Sequence, residues 1–107
     1  MPPVLPGTLE MLILRSLGTG ERHGLGIARR IEQMTQSAFE VKAGSLFPAL
    51  HRMERAGWLK SSWDVSENGR RARFYEVTAA GRKQLGAETT KWRRVVSGLA
   101  NALRTTS

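Results

Sequence analysis

Residues 42–75 read Lys42-Ala43-Gly44-Ser45-Leu46-Phe47-Pro48-Ala49-Leu50-His51-Arg52-Met53-Glu54-Arg55-Ala56-Gly57-Trp58-Leu59-Lys60-Ser61-Ser62-Trp63-Asp64-Val65-Ser66-Glu67-Asn68-Gly69-Arg70-Arg71-Ala72-Arg73-Phe74-Tyr75. Leu46, Leu50 and Met53 recur at i, i+4 and i+7, the spacing of one buried helix face, so the stretch predicts a helix over about 43–56 that Gly57 ends. Ser45 reads as its cap, which sets Pro48 in the first turn, where a missing N–H costs little. Trp58, Leu59, Trp63 and Val65 fall in a first strand. Asn68-Gly69 is a hairpin signal because both residues tolerate positive φ. The second strand, about 71–78, alternates Phe74, Glu76 and Thr78 on one face with Arg73, Tyr75 and Val77 on the other. A helix, a hairpin and an arginine-rich tip, in that order, form the anatomy of a winged helix. Such a unit can set a helix in a DNA major groove and a basic wing on the neighbouring backbone.

Upstream, Pro2, Pro3, Pro6 and Gly7 keep the first residues extended. Thr8 can then cap a helix over about 8–18, with Leu9, Leu12, Ile13, Leu14 and Leu17 as its apolar positions and Gly18-Thr19-Gly20 as its stop. His23-Gly24 opens a second helix, about 24–36, with Leu25, Ile27, Ile31 and Met34 as the buried stripe. Phe39 and Val41 form an extended link. Downstream, Thr78 caps a last helix over about 79–103 that carries Leu85, Trp92, Val95, Val96, Leu99 and Leu103. A helix of about 25 residues is about 37 Å long. That exceeds what a small winged helix can cover, so part of it is expected to pack on a second subunit. The fold class is therefore mostly α with a small β-hairpin. It comprises a winged helix-turn-helix (α-α-α-β-β) over 1–78 and a long C-terminal dimerisation helix over 79–107, in one compact unit.

Composition narrows the function classes. The 107 residues suit one domain, and the hydrophobic (40%) and charged (24%) shares suit a globular body. There is no cysteine, which excludes disulfides and thiolate metal sites and fits a reducing cytosol. No apolar run approaches the roughly 20 residues of a membrane span. The N-terminus lacks the charged region of a secretory signal, so a cytoplasmic location is expected. The net charge is +8, unevenly spread. Residues 1–41 carry four basic and four acidic side chains, whereas 42–94 carry twelve basic and five acidic. A basic excess on the helix and hairpin is the electrostatic footprint of a polyanion partner.

Lys42, Ser45, His51 and Arg52 start or face outward from the third helix if Leu46, Leu50 and Met53 face inward. Lys or Arg can read guanine, Ser can bind phosphate or a base, and a helix N-terminus favours phosphate. Phe47 and Pro48 can touch a thymine methyl or a sugar edge, or serve local packing. Arg70 and Arg71, at the wing tip, can reach phosphates or a narrow minor groove. Arg73 can do the same or anchor the wing to the body, and Tyr75 reads as structural. The two histidines, His23 and His51, stand far apart with no cysteine partner, so no metal site is expected. His23 reads as a support for the turn into the second helix. No glycine-rich phosphate loop, nucleophile turn or carboxylate cluster is present, so neither catalysis nor a cofactor is expected.

Leu9-Glu10 with Ile13-Leu14, His23-Gly24, Gly44–Glu54, Gly57-Trp58-Leu59, and Arg71–Tyr75 with Thr78 and Gly81 together resemble the PadR family of bacterial transcriptional regulators over roughly residues 5–85. The resemblance implies a dimeric winged-helix repressor whose C-terminal helix makes much of the dimer interface. With a single C-terminal helix the chain is similar to the short branch of that family. It departs from the pattern at Leu25, where the family usually has an aromatic residue, and at Phe47, usually Tyr. A phosphate contact made through that hydroxyl would be missing here. In a drug-sensing branch, a tryptophan at a place similar to Trp92 lines a pocket at the dimer centre, and paired indoles can sandwich a flat aromatic ligand. The plainer role for Trp92 is packing in the interface.

The leading expectation is thus a homodimeric repressor on pseudo-palindromic double-stranded DNA, with a small aromatic effector as a candidate ligand. A winged-helix protein-interaction module that binds no DNA is the alternative, and structured RNA is a third partner that the same charges could serve.

Overall fold

The structure, a computed structural model, describes residues 7–18, 20 and 22–106. Its elements are α1 (Thr8–Ser16), β1 (Arg22–His23), α2 (Gly24–Met34), α3 (Ala43–Arg55), β2 (Leu59–Val65), β3 (Arg71–Val77) and α4 (Ala79–Arg104). The strands form one antiparallel sheet in the order β1-β3-β2. Four helices around a hairpin sheet, with a long last helix, is the expected winged-helix architecture. The extended reading of Pro2, Pro3 and Pro6, and the part played by Thr19 in ending α1, lie outside the described residues.

The apolar spacing does what it predicts on α1 and α3. Ile13, Leu14, Ala49 and Leu50 are wholly inaccessible, and Leu12, Leu17, Leu46 and Met53 are buried with them. On α2, Ile27 and Ile31 are buried and Met34 packs against them, but Leu25 is 59% exposed, so it is not part of the stripe. The reason is angular: at 100° per residue, position 25 stands about 200° from Ile27. Leu59 and Tyr75 close the core from the sheet. Trp63 and Val65, expected on a strand with Leu59, lie on the part of β2 that outruns the body and are mostly exposed.

Several boundaries differ from expectation. Gly7, at φ 89°, is the N-cap of α1 in place of Thr8, which already lies inside the helix. Helix α2 stops at Met34 because Gln36 turns left-handed (φ 50°). The Ser37 N–H then donates to the Glu32 carbonyl and the Gln36 N–H to that of Gln33, an arrangement that absorbs the orphan carbonyls of a helix end. The N-cap of α3 is Lys42 and not Ser45, so Pro48 lies inside the helix, beyond the first turn. Pro48 cannot donate to the Gly44 carbonyl, and that residue is exposed, so water can satisfy it. Trp58 precedes β2. In the wing, only Gly69 of the Asn68-Gly69 pair has positive φ (77°), because the loop is one residue longer than a two-residue turn. The Ser66 N–H donates to the Arg70 carbonyl at 2.7 Å, closing Glu67-Asn68-Gly69.

Thr78 caps α4 as read from the sequence, and His23, read as a support for the turn into α2, is the side-chain cap of that helix. His23 Nδ1 accepts the Gly26 N–H at 3.2 Å, and Thr78 Oγ1 accepts the Gly81 N–H at 3.0 Å. Helix α4 packs on α1 and β3, then runs past them, leaving Val96 (61%), Leu99 (59%) and Leu103 (87%) exposed. The molecule is accordingly elongated, 56 × 27 × 22 Å.

Candidate nucleic-acid interface

Burying Leu46, Leu50 and Met53 turns the opposite side of α3 outward. Ser45, Phe47, Pro48, His51 and Arg52 are exposed there, and Lys42, the N-cap, is exposed at the start of the helix. Among the described residues, the side chains of Lys42, Ser45 and His51 have no hydrogen-bond or ion-pair partner. The N-terminus of α3 has no side-chain cap, and Lys42 stands beside it. Its first N–H groups and a cation thus point to one anion-ready spot.

Arg52 is the exception on this face: its guanidinium contacts the Glu10 carboxylate of α1 at 2.9 Å. With Arg52 55% exposed, such a pair contributes about 0–1 kcal/mol and gives way easily to a stronger anion. Phe47 leans on the start of α2. A Cβ on Gly24 would stand 2.8 Å from its ring, so Gly24 is what lets the ring lie there. His23, as the α2 cap, and Gly24, as the seat of Phe47, therefore couple α2 to the exposed face of α3.

The wing extends the basic surface. Arg70 is exposed at its tip with no partner among the described residues. Arg71 and Arg73, on the same face of β3, hold their guanidinium carbons 5.1 and 5.7 Å from the Trp63 ring centroid, Arg73 directly opposite Trp63 across the strands and Arg71 two residues before it. Arg73 also donates to Ser61 Oγ at 2.8 Å and meets Glu54 of α3 at 3.4 Å, so it ties the wing to the body. Glu54 in turn accepts from Ser61 at 2.6 Å. Beneath them, burial raises the pKa of the Tyr75 phenol, against a downward pull from Arg73, so Tyr75 stays neutral as a packing residue.

Trp63 is the residue that sequence reasoning missed. A tryptophan on a strand reads as core, but here it is 55% exposed between two arginines. A guanidinium over a ring face keeps its N–H edge free, so the indole orders Arg71 without neutralising it, whereas Arg73 is already engaged by Ser61 and Glu54. Trp63→Ala is expected to weaken DNA binding about two- to fivefold, the worth of the one exposed cation–π contact that holds an otherwise unpaired cation, Arg71. Trp63→Phe should recover part of it. Equal affinity of Trp63→Ala and the parent in a fluorescence-anisotropy titration would show that the stack contributes nothing.

Trp92 lies apart from this surface, half-buried on α4, with its Nε1 donating to Glu88 at 3.0 Å. It lines a mostly apolar groove of about 360 Å³ with Met11, Arg15, Arg93, Val96 and Ala100. Glu88 also accepts from Gln84 at 3.1 Å and borders a second cleft, about 390 Å³, shared with Glu10, Arg52 and Met53. The Glu88 carboxylate thus borders both the Trp92 side of α4 and the cleft that α3 lines through Arg52 and Met53. Among the described residues no cluster of metal-ligating side chains forms, and no helix is long and apolar enough to cross a membrane.

The family model described as "Transcriptional regulator PadR-like family" matches residues 13–87. The chain is 35% identical over 92 residues to the transcriptional regulator Rv3488 of Mycobacterium tuberculosis, covering 86% of this chain and 78% of that one. Among solved structures, it is similar to a PadR-like transcriptional regulator from Bacillus cereus (TM-score 0.79, 25% identity, 94% and 95% of the two chains). It is also similar to a PadR family transcription regulator from Clostridium difficile (TM-score 0.75, 28% identity, 91% and 99%).

Proposed function

Because the chain belongs to the PadR-like family of transcriptional regulators, we propose that it is a homodimeric repressor that binds a pseudo-palindromic operator through α3 and the wing. The observation that carries this reading is the outward face of α3. Lys42, Ser45 and His51 stand exposed without partners among the described residues, on a helix whose N-terminus has no side-chain cap, and Arg70 and Arg71 of the wing are exposed as well. Residues 1–78 act as the DNA-binding part, and 79–107 as the dimerisation helix. Lysine and arginine contacts to phosphate supply most of the affinity, and the start of α3 supplies base discrimination. Val96, Leu99 and Leu103, exposed on the overhang of α4, support a subunit interface there. A two-fold pairing sets two copies of α3 about 34 Å apart, one helical turn of DNA.

Release comes from a flat aromatic compound on the Trp92 groove. Such a ligand acts only through different affinities for the two states. Glu88, which accepts from Trp92 and borders the cleft of Arg52, supports a route from that groove to α3.

Fluorescence anisotropy on the DNA upstream of the protein's own gene, across a salt series and with random duplex as control, tests the proposal. The expected result is two subunits per duplex and an affinity at least about a thousandfold above random DNA. Leu99→Glu, carried alongside, should yield a monomer by sedimentation and lose most of that preference. Weak and equal binding to both duplexes, with a dimer still present in solution, would favour an interaction module.

A further inference from the structure

Where α2 passes the edge strand β1, behind the wing, a pocket of about 290 Å³ is lined by Arg22, His23, Arg29, Arg30, Glu67 and Phe74, among others. Among the described residues, three arginines share it with one carboxylate, and Glu67 makes no ion pair with Arg29 or Arg30. Arg22 is set in place by its Nε, which donates to the Ser16 carbonyl at 3.1 Å. Phe74 packs edge-on against the His23 ring, centroids 5.5 Å apart, and fixes that ring at the pocket. Since His23 Nδ1 accepts the Gly26 N–H, the neutral ring carries its proton on Nε2 and is a donor there. Arg30 also lines the pocket, and its Nε is buried with no acceptor among the described residues, so that side chain is not committed to an internal partner. Planar guanidiniums with fixed N–H forks match the oxygens of a tetrahedral anion.

We propose that this pocket is a phosphate site: Arg29 and Arg30 bind the oxygens of one phosphate group, with Arg22 and His23 completing the cradle. The phosphate has two sources. One is the DNA backbone, which the first helix of a helix-turn-helix crosses; the other is free phosphate. The site does not depend on the operator reading, because its geometry involves neither the face of α3 nor the arginines of the wing.

The test follows the arginine Nε–Hε resonances of the ¹⁵N-labelled full chain, with Arg30 assigned by the peak lost in Arg30→Lys. One arm titrates sodium phosphate against sodium chloride at fixed ionic strength, and the other titrates duplex DNA whose binding is followed by anisotropy in the same samples. The Arg30 peak is expected to move saturably in at least one arm, with the affinity in that arm lowered about tenfold by Arg29→Ala. Movement with DNA alone identifies a backbone phosphate, and movement with phosphate alone identifies a free one. If Arg30 responds to phosphate while the duplex does not bind, the operator reading fails and the pocket stands. A duplex that binds, with no saturable Arg30 response in either arm, overturns the pocket, and water is then the partner of Arg30.

Discussion

Gly81→Ala is expected to destabilise the fold by about 3–5 kcal/mol, the range of severe overpacking against a part that cannot yield. A Cβ on Gly81 would stand 2.1 Å from the Trp58 carbonyl oxygen and 2.7 Å from Val77 Cγ1. The carbonyl is not free to retreat, because it accepts the Thr78 N–H at 3.0 Å. Thr78 Oγ1 in turn donates to the Gly57 carbonyl at 2.6 Å and accepts from Gly81 N–H. The start of α4 is therefore clamped on the turn before β2, and Gly81 is the point of contact. Helix propensity alone predicts the opposite sign, since alanine favours a helix interior over glycine by about 1 kcal/mol. Gly86→Ala is the control: it lies in the same helix, and its Cβ would meet nothing within 4 Å. Thermal unfolding should show Gly86→Ala level with or above the parent and Gly81→Ala lower by about 15 °C or more. If the two variants melted together, the clamp would not exist.

Arg70→Ala combined with Arg71→Ala is expected to lower operator affinity about a hundredfold at low salt. That corresponds to about 1.4 kcal/mol for each lost charge-assisted phosphate contact. The slope of log affinity against log salt should fall by about 0.9 per arginine, because each contact releases its own counterions. The ratio between operator and random DNA should change little, since phosphate contacts position the protein without reading sequence. Ser45→Ala with His51→Ala should do the reverse, eroding the ratio and sparing the slope. Anisotropy across salt separates the two patterns. An unchanged slope in the arginine variant would make the wing tip a solvated end and move the DNA contact elsewhere on the basic surface.

What could be read from the chain without its structure follows the range of the physics. Leu46, Leu50 and Met53 define the inner face of α3 because helix geometry relates residues three and four apart. The outward placement of Ser45, Phe47, Pro48, His51 and Arg52 follows at once, whereas Lys42 is exposed because it is the N-cap, outside the helix. Thr78 and His23 cap their helices through partners three residues away, again a local relation. Leu25 failed because its apolar character was counted without its angle. Strand β1 was not among the expected elements because two residues carry no periodicity, and its existence depends on pairing with Tyr75 and Phe74, about fifty positions on.

The sequence by itself determined the order of the helices and the hairpin, the outward face of α3, the basic wing and the surplus apolar length of α4. All of these rest on local spacing and charge. Only the tertiary structure decided which arginines are engaged and by what. Arg52 is held by Glu10 across 42 positions, Arg73 by Glu54 and Ser61, Arg71 by Trp63, and Arg30 is left with a buried, unpartnered N–H. It also decided that Gly24 seats Phe47 and that Gly81 touches the Trp58 carbonyl. Such contacts join residues far apart in the chain. They are set by how helices and strands stack, and no local pattern encodes a distance between elements.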